Sequence, residues 1–187
     1  EHLPFKRELL ADFAEHGRPE ALWFSSSSAL LPSDMTADAP DEVAARVAIG
    51  HPFNPPHLMP LVEVVAAEAA DPTAIRAACA FVRQIDKLPL PVRSAPGFLV
   101  NAVLAPYMLA AMRAVDRGIA PESIDAALLA FGMPMGPIEL IDTVGLDIAL
   151  AAGQQLADGA EAPRCLQQRV EKQQLGKKSR SEEHTSE

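Results

Sequence analysis

The stretch that decides the fold is Arg46-Val-Ala-Ile-Gly-His-Pro-Phe-Asn-Pro-Pro56, closely followed by Leu61-Val-Glu-Val-Val65. Two short apolar runs, residues 46–50 and 61–65, flank a proline-rich loop. Runs of this length are typical of buried strands. The loop leaves the first strand and returns to begin the second, so the chain can bring Glu63 beside His51. The sequence therefore predicts two neighbouring strands with a polar pair between them.

The rest of the first half alternates helices with strands around this pair. Residues 1–14 have an amphipathic pattern and predict a helix, and Pro72–Gln84 predicts another that begins at its proline. Ala21-Leu-Trp-Phe24 predicts a buried strand that ends in four serines, residues 25–28. We expect a polar connector at residues 32–42. Leu88–Arg93 is predicted to be an extended edge segment, because its prolines cannot donate in a ladder.

From residue 94 onwards the pattern changes to successive helices, predicted at residues 98–115, 121–131, 136–155 and 163–173. The first of these is apolar nearly all round, so we expect it to be buried on every side. Gly118 and Gly132 are suited to end the first and second helices. An α/β half followed by an all-α half predicts two domains, residues 1–93 and 94–179.

Composition excludes several classes of function. Among the 187 residues, 16 Lys and Arg stand against 25 Asp and Glu, and this net charge of -9 argues against nucleic acid as the main partner. Residues 94–112 carry no formal charge, but their prolines and Asn101 argue against a membrane span. The two cysteines have no metal-ligand spacing, which favours a reducing, cytoplasmic location.

Both ends of the sequence look cut. Residues 180–187 are polar, lack any apolar period, and resemble a translated sequencing adapter, so we expect a non-native tail. Glu1 begins inside a predicted helix that has no cap before it. We therefore expect an internal fragment of a longer protein.

His51 and Glu63 are the candidate catalytic residues. In an open α/β sheet, ligands bind at the carboxyl ends of the strands, where His51 and the serine run are expected. A lone carboxylate is costly to bury, so Glu63 requires a cation, and His51 is the nearest candidate. A carboxylate beside an imidazole fixes its tautomer and stabilises the protonated ring, as a general base requires. From these residues alone, a structural hydrogen bond is an equally good interpretation.

Five segments, taken together, resemble the 3-hydroxyacyl-CoA dehydrogenase family in order and spacing. They are Ser25-Ser-Ser-Ser-Ala-Leu30, Gly50-His-Pro-Phe-Asn-Pro55, Leu61-Val-Glu-Val64, Pro96-Gly-Phe-Leu-Val-Asn101 and Pro134-Met-Gly-Pro-Ile-Glu-Leu-Ile-Asp-Thr-Val-Gly-Leu-Asp147. The resemblance covers residues 1–179. It implies the C-terminal part of an NAD-binding Rossmann-type domain followed by a helical C-terminal domain. The implied reaction is oxidation of (S)-3-hydroxyacyl-CoA in fatty-acid β-oxidation.

The resemblance also implies roles for individual residues in the reaction. His51 matches the base that takes the proton of the substrate hydroxyl, and Glu63 matches the carboxylate that orients it. Ser28 matches a hydroxyl that contacts substrate and cofactor, and Asn101 matches an amide near the reacting carbonyl. Asn101 also has a structural interpretation as a buried helix amide.

Further residues match NAD contacts of the family. Glu1 and Lys6 fall on its E-x-x-x-x-K positions, Asn54 resembles a cofactor contact, and Lys178 matches a lysine of the helical domain. Each also has a simpler interpretation. The lysines would be solvated, Glu1 would favour a helix N-terminus, and Asn54 would shape an Asn-Pro turn.

Departures from the family pattern leave the substrate open. Pro52 replaces a phenylalanine, and the serine run resembles that of relatives that act on sugar acids, the lambda-crystallin type. A dehydrogenase of a small hydroxy acid and a non-catalytic dimerisation module therefore remain alternatives. The helical half is closer to bacterial multifunctional fatty-acid oxidation enzymes. We expect a homodimer through the helical domain, or a place in a larger multifunctional chain. No G-x-G-x-x-G occurs, so we expect this chain alone to bind NAD poorly.

Overall fold

The computed structural model describes residues 2–156, 161–177 and 179. These residues form two compact units, and the boundary along the sequence lies between Leu99 and Val100.

The first unit is a mixed sheet with helices. Its strands are β1 (Trp23–Ser25), β2 (Val47–Pro52), β3 (Leu61–Ala66) and β4 (Leu88–Arg93), and its helices are α1 (Leu3–His16), α2 (Pro32–Thr36), α3 (Asp41–Ala44) and α4 (Pro72–Gln84). Within the described residues the sheet order is β1-β2-β3-β4. β1 pairs with β2 in parallel, β2 with β3 antiparallel, and β3 with β4 in parallel. A Rossmann-type unit followed by a helical unit, as expected from the sequence, is confirmed.

The core of this unit lies on both faces of the sheet. Ala48 and Val64 pack with Val82 of α4 on one face, whereas Ile49 and Val65 pack on the other. Successive side chains of a strand point to opposite faces, so these two clusters follow from the alternation along β2 and β3. His51 and Glu63 have the same parity as Ile49 and Val65, and they face the second cluster.

Two predictions for the first unit have different outcomes. The edge position of β4 is confirmed, since Pro89 and Pro91 lie in the last strand of the sheet. The polar connector at residues 32–42 is wrong, because α2 and the start of α3 occupy it. Each of these helices makes little more than one turn, and Met35 is buried in α2. One apolar residue in a short polar segment gives no helical period to detect.

The second unit is helical in the residues that the structure describes. It comprises α5 (Val100–Asp116), α6 (Pro121–Phe131), α7 (Pro137–Val144), α8 (Leu146–Leu156) and α9 (Arg164–Glu171). The single helix predicted at residues 136–155 is wrong, since α7 ends before Gly145, whose φ is 112°. A glycine at positive φ ends a helix without the steric penalty of a Cβ. Gly118 and Gly132 end α5 and α6 in the same way, as predicted.

The expectation that the first long helix is buried on every side is also wrong. α5 buries Ala105, Leu109, Ala111 and Met112, but Val103 is 62% exposed. Apolar residues at spacings of three and four continue the exposed side, at positions 102, 103, 106 and 110. Composition specified an apolar helix but not what covers its second face. In the described part of the chain, no helix is both long and apolar enough to cross a membrane.

Candidate active site

The site is built on one cross-strand pair. His51 of β2 lies directly opposite Glu63 of β3, and His51 Nδ1 is 2.8 Å from Glu63 Oε2. The side chain of Glu63 is fully buried, and that of His51 is 8% exposed. The antiparallel return of the chain between residues 52 and 61 creates this register, as the sequence predicted.

The second oxygen of Glu63 has a partner of its own. Oε1 accepts a hydrogen bond from the backbone N–H of Leu99 at 3.0 Å. A carboxylate only accepts hydrogen bonds, so in the tautomer that pairs with a carboxylate His51 Nδ1–H donates to Oε2. The neutral imidazole then keeps Nε2 as its proton acceptor. This arrangement has the chemistry of a general base whose protonated form is stabilised by a buried carboxylate.

Two phenyl rings contact the imidazole. The ring centroids of Phe53 and Phe98 lie 4.9 Å and 5.4 Å from that of His51, and both pairs are edge-to-face. Sequence reasoning did not single out either residue. The available signal was their place inside two of the family segments, where Phe53 follows His51 by two residues and Phe98 precedes Asn101 by three.

The serines of the run differ in their burial. Ser25 and Ser27 are buried, whereas Ser28 is exposed and has interactions of its own. Lys6 Nζ of α1 donates a hydrogen bond to Ser25 Oγ at 3.2 Å. Ser25 therefore contacts a lysine that was predicted to bind the cofactor. The sequence does not single out Ser25, because spacing does not say which of four adjacent hydroxyls faces a helix. The role assigned to Ser28 stays a prediction.

The other predicted residues are more widely distributed. Asn54 is exposed in the loop after β2, and Asn101 is half-buried in the first turn of α5 in the second unit. Glu1 and Lys178 lie outside the described residues. Of the predicted set, the structure brings His51 and Glu63 into contact.

The donors at this edge fit one part of a dinucleotide. β1 and β2 are parallel and Ser25 pairs with Ile49, so Ser25 and His51 lie at the same carboxyl edge of the sheet. An ammonium group with buried hydroxyls beside it suits the ribose or phosphate of an anionic nucleotide. The glycine-rich turn that holds a pyrophosphate is not among the 187 residues.

The fold and site define a class: a nucleotide-binding α/β unit carrying a histidine–carboxylate pair, followed by a helical unit. Comparison with family models makes the class specific. Residues 1–95 match the NAD binding domain of 3-hydroxyacyl-CoA dehydrogenase, and residues 97–184 match its C-terminal domain. The chain belongs to the 3-hydroxyacyl-CoA dehydrogenase family. The family and its NAD cofactor, both expected from the resemblance, are confirmed.

Individual relatives agree with this family. The chain is 32% identical over 185 residues to the fatty acid oxidation complex subunit alpha of Idiomarina loihiensis, covering 96% of this chain and 26% of that protein. A 3-hydroxybutyryl-CoA dehydrogenase from Escherichia coli K12 is 35% identical with a TM-score of 0.88, over 96% of this chain and 39% of that one. An (S)-3-hydroxybutyryl-CoA dehydrogenase from Ralstonia eutropha is 28% identical with a TM-score of 0.86, over 96% and 65%. The chain thus spans about a quarter of the length of its curated relative.

Proposed function

We propose that the full-length protein containing this chain oxidises (S)-3-hydroxyacyl-CoA to 3-oxoacyl-CoA with NAD+, as a step of fatty-acid β-oxidation. The observation that carries the proposal is the buried 2.8 Å hydrogen bond between His51 and Glu63 at the carboxyl edge of the sheet. Support comes from the matches to both domains of the family and from relatives whose names specify hydroxyacyl-CoA substrates.

His51 and Glu63 have different roles in proton removal. His51 Nε2 takes the proton of the 3-hydroxyl, and the carboxylate of Glu63 stabilises the imidazolium that forms. The bound oxidised nicotinamide supplies a hydride acceptor for the hydrogen on C3. Lys6, held by Ser25, provides a positive charge for the cofactor, and Ser28, Asn54, Glu1 and Lys178 are proposed as further contacts. Asn101 is proposed to donate its amide to the carbonyl oxygen of the substrate.

A second candidate substrate class is a sugar acid or another small hydroxy acid. It is favoured by Pro52 and by the serine run, both of which depart from the common acyl-CoA pattern. The test is to assay NADH consumption by the full-length protein with acetoacetyl-CoA and with a 3-keto sugar acid. A larger kcat/KM with acetoacetyl-CoA supports the proposal, and the reverse order contradicts it.

We also propose that the protein acts in the cytoplasm and assembles as a homodimer through the helical unit. The exposed apolar side of α5 supports a partner surface, because monomeric proteins rarely leave large apolar patches in water. The alternative assembly is a larger multifunctional chain in which another domain covers this side, and this chain spans only 26% of the Idiomarina loihiensis subunit. The domain limits of residues 1–93 and 94–179, with a non-native tail at 180–187, are retained as proposals.

A further inference from the structure

The turn that ends the first unit contains an unusual backbone. Gly97 and Phe98 both have positive φ, 72° and 50°. The left-handed region suits glycine but is uncommon for a bulky residue such as phenylalanine. Residues in this region persist where surrounding contacts fix them, and they concentrate at functional sites.

Contacts on three sides fix this turn. The ring of Phe98 is only 4% exposed and packs with Met35, Ile49 and Val65. The N–H of Phe98 donates to the carbonyl of Ala95 at 2.9 Å. The next N–H, that of Leu99, donates to Glu63 Oε1. The carboxylate that binds His51 therefore also anchors the turn that presents the Phe98 ring.

The second ring that contacts His51 belongs to Phe53, in a different segment of the chain. Phe53 follows His51 by two residues, lies half-buried in the loop after β2, and contacts the imidazole edge-to-face. Edge-to-face ring pairs at 4.5–7 Å are attractive and have a preferred geometry. The hydrogen bond to Glu63 holds the imidazole at only one atom, Nδ1. Two ring contacts also limit rotation of the imidazole about its χ2 torsion.

We propose that Phe53 and Phe98 are positioning residues that act through His51, forming a two-ring clamp that fixes its imidazole and keeps water from its Nδ1–H···Glu63 hydrogen bond. The catalytic part of this inference rests on the proposed function. Neither ring is assigned a contact with substrate or cofactor. The clamp explains why a bulky residue occupies a left-handed position that glycine or asparagine would adopt at lower cost.

The first test uses this chain and needs no turnover. In protein with ¹⁵N-labelled histidine, NMR measures how fast the His51 Nδ1 proton exchanges with water. Phe53→Leu and Phe98→Leu keep an apolar side chain but remove the ring, and each is expected to speed exchange about tenfold or more through local opening. Phe81→Leu is the matched control, because Phe81 contacts Phe24 rather than His51.

The outcomes are distinct. Faster exchange in Phe53→Leu and Phe98→Leu but not in Phe81→Leu supports the clamp, and unchanged exchange in folded variants overturns it. If Phe98→Leu does not fold, the half-buried Phe53 still decides the result. An equal acceleration in Phe81→Leu also overturns the clamp, since loss of any ring would then suffice.

The second test separates the clamp from the proposed function. In the full-length protein, Phe53→Leu and Phe98→Leu are each expected to lower kcat about tenfold while KM changes less than twofold. A misplaced base slows chemistry without weakening binding. An unchanged kcat alongside faster exchange overturns the positioning role. If the wild-type protein forms no NADH while its Nδ1–H exchanges slowly, the proposed function fails and the structural clamp stands.

Discussion

At the scale of single residues, the site depends on one buried carboxylate whose two oxygens serve different partners. Glu63 accepts from the imidazole of His51 with one oxygen and from the backbone of Leu99 with the other. A buried carboxylate is tolerated where its charge is compensated and its hydrogen bonds are made. The sequence predicted the pairing because a glutamate inside an apolar strand is costly unless a cation lies beside it. It did not predict the Leu99 contact, which joins residues 36 positions apart.

The aromatic and serine contacts of the site were beyond sequence reasoning for a related reason. Phe53, Phe98 and Ser25 have no periodicity or charge that marks them as functional. Their roles follow from which way each side chain points once the strands and the turn are built. A local sequence pattern predicts where strands form, but it does not predict the distances between side chains.

Cys165 gives a prediction at this scale. Burial raises the pKa of its thiol to about 11, and the hydrogen bond and charge of Asp116 act in the same direction. A higher thiol pKa means less thiolate, so at pH 8 alkylation is expected to be about a hundredfold slower than for a thiol of ordinary pKa.

The measurement is iodoacetamide labelling of a Cys79→Ala variant, since the chain has two cysteines and Cys79 is buried. The folded variant should label slowly at pH 8 and much faster in denaturant. Equal rates in the two conditions would show that Cys165 is not protected.

At the scale of secondary structure, elements with strong end signals were predicted at their observed bounds. Pro72–Gln84 and Pro121–Phe131 each begin at a proline, and Gly132 ends the second in a left-handed conformation. The segment at residues 136–155 was not divided correctly, because its apolar pattern continues across Gly145. An isolated glycine in a helical pattern is ambiguous until the backbone conformation is known.

The end of α5 holds the start of α9, which yields a prediction on stability. Asp116 accepts hydrogen bonds from the N–H groups of Arg164 and Cys165 at 2.7 Å and 2.8 Å. Asp116→Ala leaves both amides without this acceptor, and we expect it to lower the free energy of unfolding by about 1 kcal/mol at pH 7. Urea unfolding followed by circular dichroism measures this change.

The effect of Asp116→Ala on the free energy of unfolding should depend on pH. Burial raises the pKa of Asp116, but the hydrogen bonds from Cys165 and Arg164 more than offset it, so the folded-state pKa lies below the ordinary 3.8. A depressed carboxyl pKa contributes stability above the unfolded-state pKa and loses it as the pH falls through the folded-state pKa.

The difference between wild type and Asp116→Ala should therefore be full at pH 7 and shrink below pH 3.8. Asp38→Ala is the control, because Asp38 makes an exposed ion pair with Arg7 and such pairs contribute little. A difference that is constant with pH would contradict the capping role of the ionised carboxyl.

At the scale of the whole molecule, the unexpected feature is the exposed side of α5. The sequence correctly marked this helix as apolar all round, but the described residues of one chain cover only one of its faces. Local sequence patterns do not say which partner covers the other face, because that depends on how the protein assembles. We expect a second copy of the protein to supply it.

Val103→Asp tests this assembly in the full-length protein. A charge at the centre of the exposed side of α5 should convert a dimer to a monomer, because an unpaired charge is costly to bury in an interface. Light scattering after size exclusion measures the mass. Leu58→Asp is the control, since Leu58 is also exposed but lies in a loop of the first unit. A dimer that persists in Val103→Asp would exclude this surface.

Cofactor binding also belongs to the whole molecule. The chain contains the histidine edge of the site but no glycine-rich turn for the pyrophosphate. We therefore expect calorimetric titration of this chain with NAD+ to show weak binding, and assays to show no useful turnover. Robust NADH formation by the chain alone would contradict this expectation.

The most direct measurement of the central claim is the kcat of His51→Ala in the full-length protein, with (S)-3-hydroxybutyryl-CoA and NAD+. If His51 removes the hydroxyl proton, kcat should fall by about 10²-fold or more while the protein remains folded. His57→Ala serves as the control, because His57 is exposed in the loop before β3. A His51→Ala protein with wild-type kcat would show that this histidine is not the base, and would favour a non-catalytic role for the chain.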